Sequence, residues 1–266
     1  MDKLVFLGIA GNDAVTSQGL SAAGIILQYK NYQIHLDPGP GALTKAREFG
    51  INTANTNIIL ATHNHLTHCN DINLVIEAMT FKGLDQRGMV VADESVIHGT
   101  NLERPILLRA HSKFLEKQVP LKATEHVKLP SLTIQALQAE HSCPSAIGFK
   151  ISTDEFTIIY SGDTKFTENL PILYKKADII ILNTPFARKT KNENNLSIKD
   201  AASIINITKP RLAVLTHFSK SMLRENPLYE AREIQRGSGV QTIIAREGLS
   251  LAPKGYAERV RQKTLM

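Results

Sequence analysis

The sequence predicts an α/β protein: two packed β-sheets with helices on their outer faces. Three observations lead there. Apolar runs of strand length recur through both halves of the 266 residues. Segments of helical spacing fall between them, the alternation that builds layered α/β architectures. Glycine and proline are spread along the chain rather than gathered into a linker, so both halves are expected to share one domain.

From the N-terminus, KLVFLGIAG (3–11), AAGIILQYK (22–30) and YQIHLD (32–37) read as strands, the last two split by a turn at Lys30-Asn31. PGPGALTKAREFG turns on Pro and Gly and enters a helix ending at Gly50. TNIILAT (56–62) is a buried strand, and NDINLVIEAMTF (70–81) has helical spacing at Ile72, Val75, Ile76 and Met79. In the second half SLTIQALQA (131–139), AIGFKIST (146–153) and FTIIYSG (156–162) read as strands. A helix around 166–176 leads to the strand ADIIILNTP (177–185). LSIKDAASIINIT (196–208) opens a helix with Ser197 as N-cap and Asp200 three residues on. The strand RLAVLTHF (211–218), a helix through 222–236 and the strand VQTIIARE (240–247) complete the series. Residues 254–266 are basic and read as a solvated tail or terminal helix.

Composition narrows the class. Hydrophobic content of 42% and charged content of 21% are ordinary for a globular chain. No apolar run approaches the roughly 18 residues of a membrane helix. MDKLVFLGIAGND lacks the features of a secretory signal, so a cytoplasmic protein without a membrane partner is expected. Two cysteines make no disulfide framework. The formal charge of +6 tilts the choice of partner mildly towards polyanions such as nucleic acid.

Chemistry concentrates in ATHNHLTHCND (61–71), where His63, His65 and His68 fall within six positions. In an extended segment, residues i and i+2 face one side, so His63 and His65 can converge on one ion. His68 comes next, as the chain turns into a helix, and points beside that pair. Neutral imidazole is a common ligand for zinc and similar ions. The cluster also stands at a strand end, where α/β folds place ligands. Lone histidines are usually surface or hydrogen-bonded core residues, and His35, His98, His111 and His126 are read so. Three further stretches each place one ligand-capable residue at a strand edge: AEHSCPSAIGFKI with His141, IIYSGDTKF with Asp163, and AVLTHFSK with His217.

As an ordered set, HLDPGPG with Asp37, HNHLTH, His141, Asp163 and His217 resemble the metallo-β-lactamase superfamily. Within it the chain is most similar to tRNase Z and related nucleases, on the strings HSCPSAIGF, YSGDT (160–164) and LTHFS (215–219). The resemblance covers about residues 3 to 251 and implies a four-layer αββα sandwich over residues 1–253. It implies a binuclear site of one or two zinc ions, with manganese or iron as alternatives. His63, His65 and His141 would bind the first ion, His68 and His217 the second, and Asp163 would bridge. Asp37 would orient a ligand from behind. Two ions can share a hydroxide, lower its pKa for attack and stabilise charge on a phosphoryl or carbonyl oxygen.

One position departs from the family. Thr67 stands where the family's HxHxDH motif has aspartate. Threonine removes a negative charge from a dication site, so the second ion should bind less tightly. It also removes a proton acceptor, and such help is worth about 10²–10⁴ in rate. Three readings are open: a weak second site that fills only when substrate supplies a ligand, replacement by another group, or a relative that binds without cutting. The candidate replacement is Asp71, one helical turn on, against the favoured reading of Asp71 as a helix cap. Cys69 and Cys143 stand beside ligand motifs, and small buried packing residues are favoured over thiolate ligands.

Two basic stretches are candidate rims for an anionic substrate. One is 101–128, with Arg109 and Lys113; the other is 185–195, with Arg188 and Lys189. A solvated basic face is the equal alternative. Neither stretch interleaves aromatic residues for base stacking. No long Gly-rich basic insertion like the tRNA-gripping arm of tRNase Z is present, which argues against tRNA 3′ processing. The expectation is a metal-dependent hydrolase using a metal-bound hydroxide, in first place a phosphodiesterase or nuclease on nucleic acid or small phosphodiesters. Asp163, His217 and Asp71 are its catalytic candidates. The rivals are a carboxylic ester, thioester, lactone or lactam hydrolase, and a metal-bearing binding protein without turnover. Relatives often dimerise, so a homodimer is an expectation that no interface signature in the sequence supports.

Overall fold

The computed structural model describes residues 2–187 and 194–257. The first half runs β1 (Lys3–Phe6), α1 (Asn12–Gln18), β2 (Ile25–Tyr29), β3 (Tyr32–Leu36), α2 (Ala42–Glu48), β4 (Ile58–Ala61), α3 (Leu66–Cys69), α4 (Ile72–Thr80), β5 (Met89–Asp93), α5 (Glu94–His98), α6 (Arg109–Ser112) and β6 (Lys117–Leu121). The second runs β7 (His126–Leu129), β8 (Leu132–Gln138), β9 (Ile147–Thr153), β10 (Thr157–Tyr160), α7 (Leu170–Leu173), β11 (Ile179–Asn183), α8 (Ile198–Thr208), β12 (Leu212–Thr216), α9 (Lys220–Arg224), α10 (Pro227–Ser238), β13 (Gln241–Ile244) and β14 (Ser250–Leu251).

The strands form two mixed sheets, ordered β14-β1-β2-β3-β4-β5-β6 and β13-β12-β11-β10-β9-β8-β7 among the described residues. Alternation along each strand builds the layers. Leu4, Phe6, Ile58, Leu60, Ile179, Ile181, Leu212 and Val214 point between the sheets into the shared core. Their neighbours point outwards: Ile59 and Ala61 pack with α4, and Ile180, Leu182, Ala213 and Leu215 pack with α8 and α10. Both faces are covered, so β4, β11 and β12 are apolar runs as buried parallel strands are, with polar residues only at the ends of β11 and β12, Asn183 and Thr216. The result is the αββα sandwich of the metallo-β-lactamase fold.

Parallel pairing decides where the chemistry sits. β3, β4 and β5 run parallel in one sheet, and β10, β11, β12 and β13 in the other. Their C-terminal ends carry Asp37, His63, Asp93, Asp163, Asn183 and His217, and the His141 turn enters antiparallel β9 at the same edge. Ligand sites favour this edge because loops leaving parallel strands need not continue the sheet.

Several elements differ from the sequence reading. The helix expected around 166–176 is a single turn with Pro171 at its start. The helix expected through 222–236 breaks into α9 and α10 at Asn226, which takes φ +57° before Pro227. Proline clashes with a helical residue before it, so the break falls there. Only the end of the basic 101–128 stretch is sheet, where β6 and the start of β7 pair at the edges. The described part of the C-terminal stretch is docked rather than solvated. Lys254 bonds Asp2 and Glu155 at 2.8 and 2.7 Å, and Tyr256 packs on the core. Residues 258–266 lie outside the described residues. The Ser197–Asp200 capping box forms as expected.

Candidate metal centre

Asp163 lies at the middle of the gathered side chains, fully buried at the end of β10. Its Oδ2 is 3.5 Å from His68 Nε2, 3.5 Å from His217 Nε2 and 3.9 Å from His141 Nε2. His65 Nδ1 lies 2.9 Å from His63 Nε2 and 3.3 Å from His141 Nε2. The donor atoms fall into two groups within 4.8 Å: His63, His65 and His141, and His63, His68 and Asp163. His217 joins the second through Asp163. All six residues that the sequence proposed as ligands are therefore brought together.

The donors fit a divalent ion. Ligands about 2.0–2.1 Å from a tetrahedral centre stand about 3.4 Å apart, close to several of these spacings. Among the described residues His68 Nε2 and His217 Nε2 are buried without a hydrogen bond, Asp163 Oδ2 standing 3.5 Å from each. An orphaned buried nitrogen is costly unless something else occupies its lone pair.

The rings are held from behind. Asp37, at φ +48°, accepts from Thr62 N at 2.7 Å, Thr62 Oγ1 at 2.9 Å, His68 Nδ1 at 2.7 Å and Tyr160 OH at 2.8 Å. Thr62 Oγ1 also sits 3.0 Å from His63 Nδ1. With its proton given to Asp37, that oxygen accepts from His63 Nδ1–H. Asp37 therefore holds the Nδ1 proton of His68 directly and of His63 through Thr62, so that Nε2 is the atom each ring turns towards an ion. His141 Nδ1 donates to Asn194 O at 2.8 Å, which leaves its Nε2 to face an ion likewise. Asn183 Nδ2 donates to Asp163 Oδ1 at 2.8 Å, and Asn195 Nδ2 reaches Oδ2 at 3.2 Å. His217 adopts φ +61°, held by Gly11 N donating to Phe218 O and Phe218 N to Ile9 O, each at 2.8 Å. Gly162 takes φ +58° in SGDT, and a Cβ there would stand 2.9 Å from Thr62.

Electrostatics favour ligand-ready forms in the first group. Burial, then the charge of His68, pushes His63 well below the usual imidazole range. Burial, then His141, lowers His65. Neutral imidazoles bind metal without first losing a proton. Burial alone would raise Asp163, but His217 and His68 outweigh it and hold the carboxyl well below its usual range. Burial would lower His68; Asp163 and Asp37 overcome it and raise it to about 10. Metal at His68 must therefore displace a proton.

Asp71 departs from its catalytic reading. Its Oδ2 accepts from Gly41 N and Ala42 N, both at 2.9 Å, and its Oδ1 from Asn70 at 2.8 Å. Its side chain caps α2, while Asp71 stands at the N-cap position of α4 with no side-chain bond to that helix. Arg109 starts α6 and Lys113 stands just past its end, and α6 packs against α4 through a 3.0 Å His111–Glu77 bond. Arg188 and Lys189 lie outside the described residues. From the 101–128 stretch Glu103 meets the histidine loop, accepting from Asn64. Cys69 and Cys143 are buried free thiols; Cys69 donates to His65 O at 3.0 Å, and burial, then Asp37, pushes its pKa far up. Of the remaining histidines, His35 is buried with Nε2 on Ala23 O, and His98 and His126 are exposed.

Thr62, Tyr160, Asn183, Asn194 and Asn195 escaped the sequence reading. Thr62 and Tyr160 adjoin ligands in the motifs, and Asn183 closes a buried strand at the edge where ligands gather, which are the only local signals they give. Asp93 is likewise buried, accepting from Ser95 at 2.7 Å and Ser145 at 2.5 Å, so it ties the His141 turn to β5.

An αββα sandwich with a histidine and aspartate cluster at the shared sheet edge defines the metallo-β-lactamase class. Residues 32–218 match the beta-lactamase superfamily domain, and the chain belongs to that family. An uncharacterised protein of Methanocaldococcus jannaschii is 30% identical over 252 residues, covering 94% of both chains. Ribonuclease Z of Methanopyrus kandleri is 20% identical, covering 97% of this chain and 90% of that one. Among solved structures, the metallo-β-lactamase fold protein YhfI of Bacillus subtilis superposes with TM-score 0.77 at 17% identity, covering 94% and 98% of the two chains. The short form of human tRNase Z gives 0.68 at 15%, covering 94% and 99%, and a diphosphatase from the PhnP family gives 0.70 at 16%, covering 95% and 98%. The family consists mostly of metal-dependent hydrolases that bind divalent ions. Among the described residues no helix is long and apolar enough to cross a membrane.

Proposed function

We propose that this chain is a metal-dependent phosphodiesterase, zinc being the favoured ion and the cytoplasm the favoured location. The observation that carries the reading is the convergence of five imidazoles on one buried carboxylate, with two buried Nε2 atoms lacking hydrogen bonds among the described residues. His63, His65 and His141 would hold one ion, His68 and His217 a second, and Asp163 would face both. A divalent ion bound there would supply Lewis-acid activation of water and of a substrate oxygen. The residues do the rest. Asp37, Thr62 and Asn194 fix the tautomers, and Asn183 and Asn195 orient Asp163.

Phosphodiesters are favoured over neutral esters by the likeness to a ribonuclease Z and by the HSCPSAIGF, YSGDT and LTHFS strings, which resemble those of tRNase Z-like nucleases. The test is turnover by zinc- or manganese-loaded protein on bis-p-nitrophenyl phosphate, single-stranded RNA and a panel of esters and lactones. Diester turnover abolished in His65→Ala supports the reading. Turnover of esters or lactones alone replaces it with carboxylic ester hydrolysis. Tight metal with no turnover on any substrate leaves a binding protein.

A further inference from the structure

We propose that the second ion is not a resident of this protein: an anionic diester substrate supplies its missing ligand, so metal and substrate enter that site together. This rests on the phosphodiesterase reading and narrows its substrate to one carrying negative charge at the scissile group.

The ligand count carries the argument. The second position has His68 Nε2, His217 Nε2 and Asp163 Oδ2, three donors. Beside them stands Thr67, neutral where the family has a carboxylate. A carboxylate from elsewhere would have to fill the gap, and among the described residues the three buried ones nearby are committed. Asp37 accepts four hydrogen bonds behind His68. Asp71 caps α2 through Gly41 and Ala42. Asp93 is held by Ser95, Ser145 and Val96 N. Asp163 is the only carboxylate in the donor groups found among the described residues.

Charge points the same way. Two dications beside the single Asp163 carboxylate and neutral imidazoles carry a formal excess of about three positive charges, one more than with aspartate at position 67. At low effective dielectric such an excess repels the second ion strongly. A monoanionic diester oxygen relieves it and completes the coordination sphere. A neutral ester or lactone oxygen completes the sphere without relieving the charge. The coupling is reciprocal: by whatever factor the anion tightens the second ion, that ion tightens the anion.

Calorimetric zinc titration of metal-free protein tests this without reference to activity. Wild type is expected to bind one ion tightly and a second at least about tenfold more weakly. Dimethyl phosphate, a monoanionic diester, should tighten the second by about tenfold. Trimethyl phosphate, uncharged and of similar shape, should leave it within about twofold. Thr67→Asp should bind the second ion about tenfold more tightly without any anion and lose most of the dimethyl phosphate effect, while neutral Thr67→Asn should behave as wild type. Two equally tight ions in wild type, or a second ion indifferent to dimethyl phosphate, overturns the proposal whatever the variants do. Linkage without turnover of bis-p-nitrophenyl phosphate would sink the reaction and leave the linkage standing; turnover without linkage would do the reverse.

Discussion

Replacing Asp37 by asparagine changes one buried acceptor into a donor, and the hydrogen bonds around it dictate the consequences. With the amide oxygen kept on Thr62 N, Nδ2 faces Thr62 Oγ1, His68 Nδ1 and Tyr160 OH, all of which now donate to Asp37. His68 must turn its Nδ1 into an acceptor, which moves its proton to Nε2. Thr62 must swing its hydroxyl proton to His63 Nδ1, which moves the His63 proton to Nε2 as well. One atom thus blocks a donor in each metal group. Loss of an orienting partner costs about 10–100-fold in metal affinity. The exchange also removes three bonds to a buried charged group, from Thr62 Oγ1, His68 and Tyr160, worth about 1.5–3 kcal/mol each, and the two amide hydrogens return two neutral bonds worth about 0.5–1.5 kcal/mol each. The metal-free protein should lose about 3–6 kcal/mol, a fall in Tm of about 6–24 °C for a chain of this size. Zinc calorimetry, thermal melts and ¹⁵N resonances of the ring nitrogens read the three effects. Zinc affinity within about threefold of wild type, with His63 and His68 still protonated at Nδ1, would refute the relay.

Three further outcomes are expected. Asp71→Ala should lose the α2 cap, costing about 1–2 kcal/mol in urea unfolding, and leave zinc stoichiometry unchanged; a displaced acid limb in its pH–rate profile would restore a catalytic role. His35, fully buried away from the metals, titrates near 6.5 in the unfolded chain and is pushed down to about 4 in the fold by burial, against its bond to Ala23 O. Its contribution is full above pH 6.5 and is lost as pH falls through about 4. It amounts to about 3 kcal/mol, and His35→Gln should flatten the stability profile across that window by this amount. Finally, a chelator should lower the Tm of zinc-loaded protein by about 8–16 °C, the effect of about 4 kcal/mol from an ion held at a thousand times its Kd; an unchanged Tm would mean the donors hold no ion.

Much of this protein was determined locally. Two-residue alternation and apolar runs specify strands whatever lies beyond them, because side-chain direction in a strand depends only on residue parity. His63 and His65 likewise converge through two-residue spacing, and the order of motifs announced the remaining ligands. What the chain could not reveal were pairings between residues distant in sequence. Tyr160 reaches Asp37 across 123 positions, and His141 meets Asn194 across 53. Asp71 looked like a cap for its own helix and caps α2 instead, 29 residues back, because only the packing of α2 against α4 brings those amides within reach. A short polar side chain takes whichever buried donor the fold presents to it. The donor set was therefore written in the sequence, while the groups that orient it, and the lack among the described residues of a spare carboxylate to stand in for the residue at position 67, were decided only when the two sheets closed on each other.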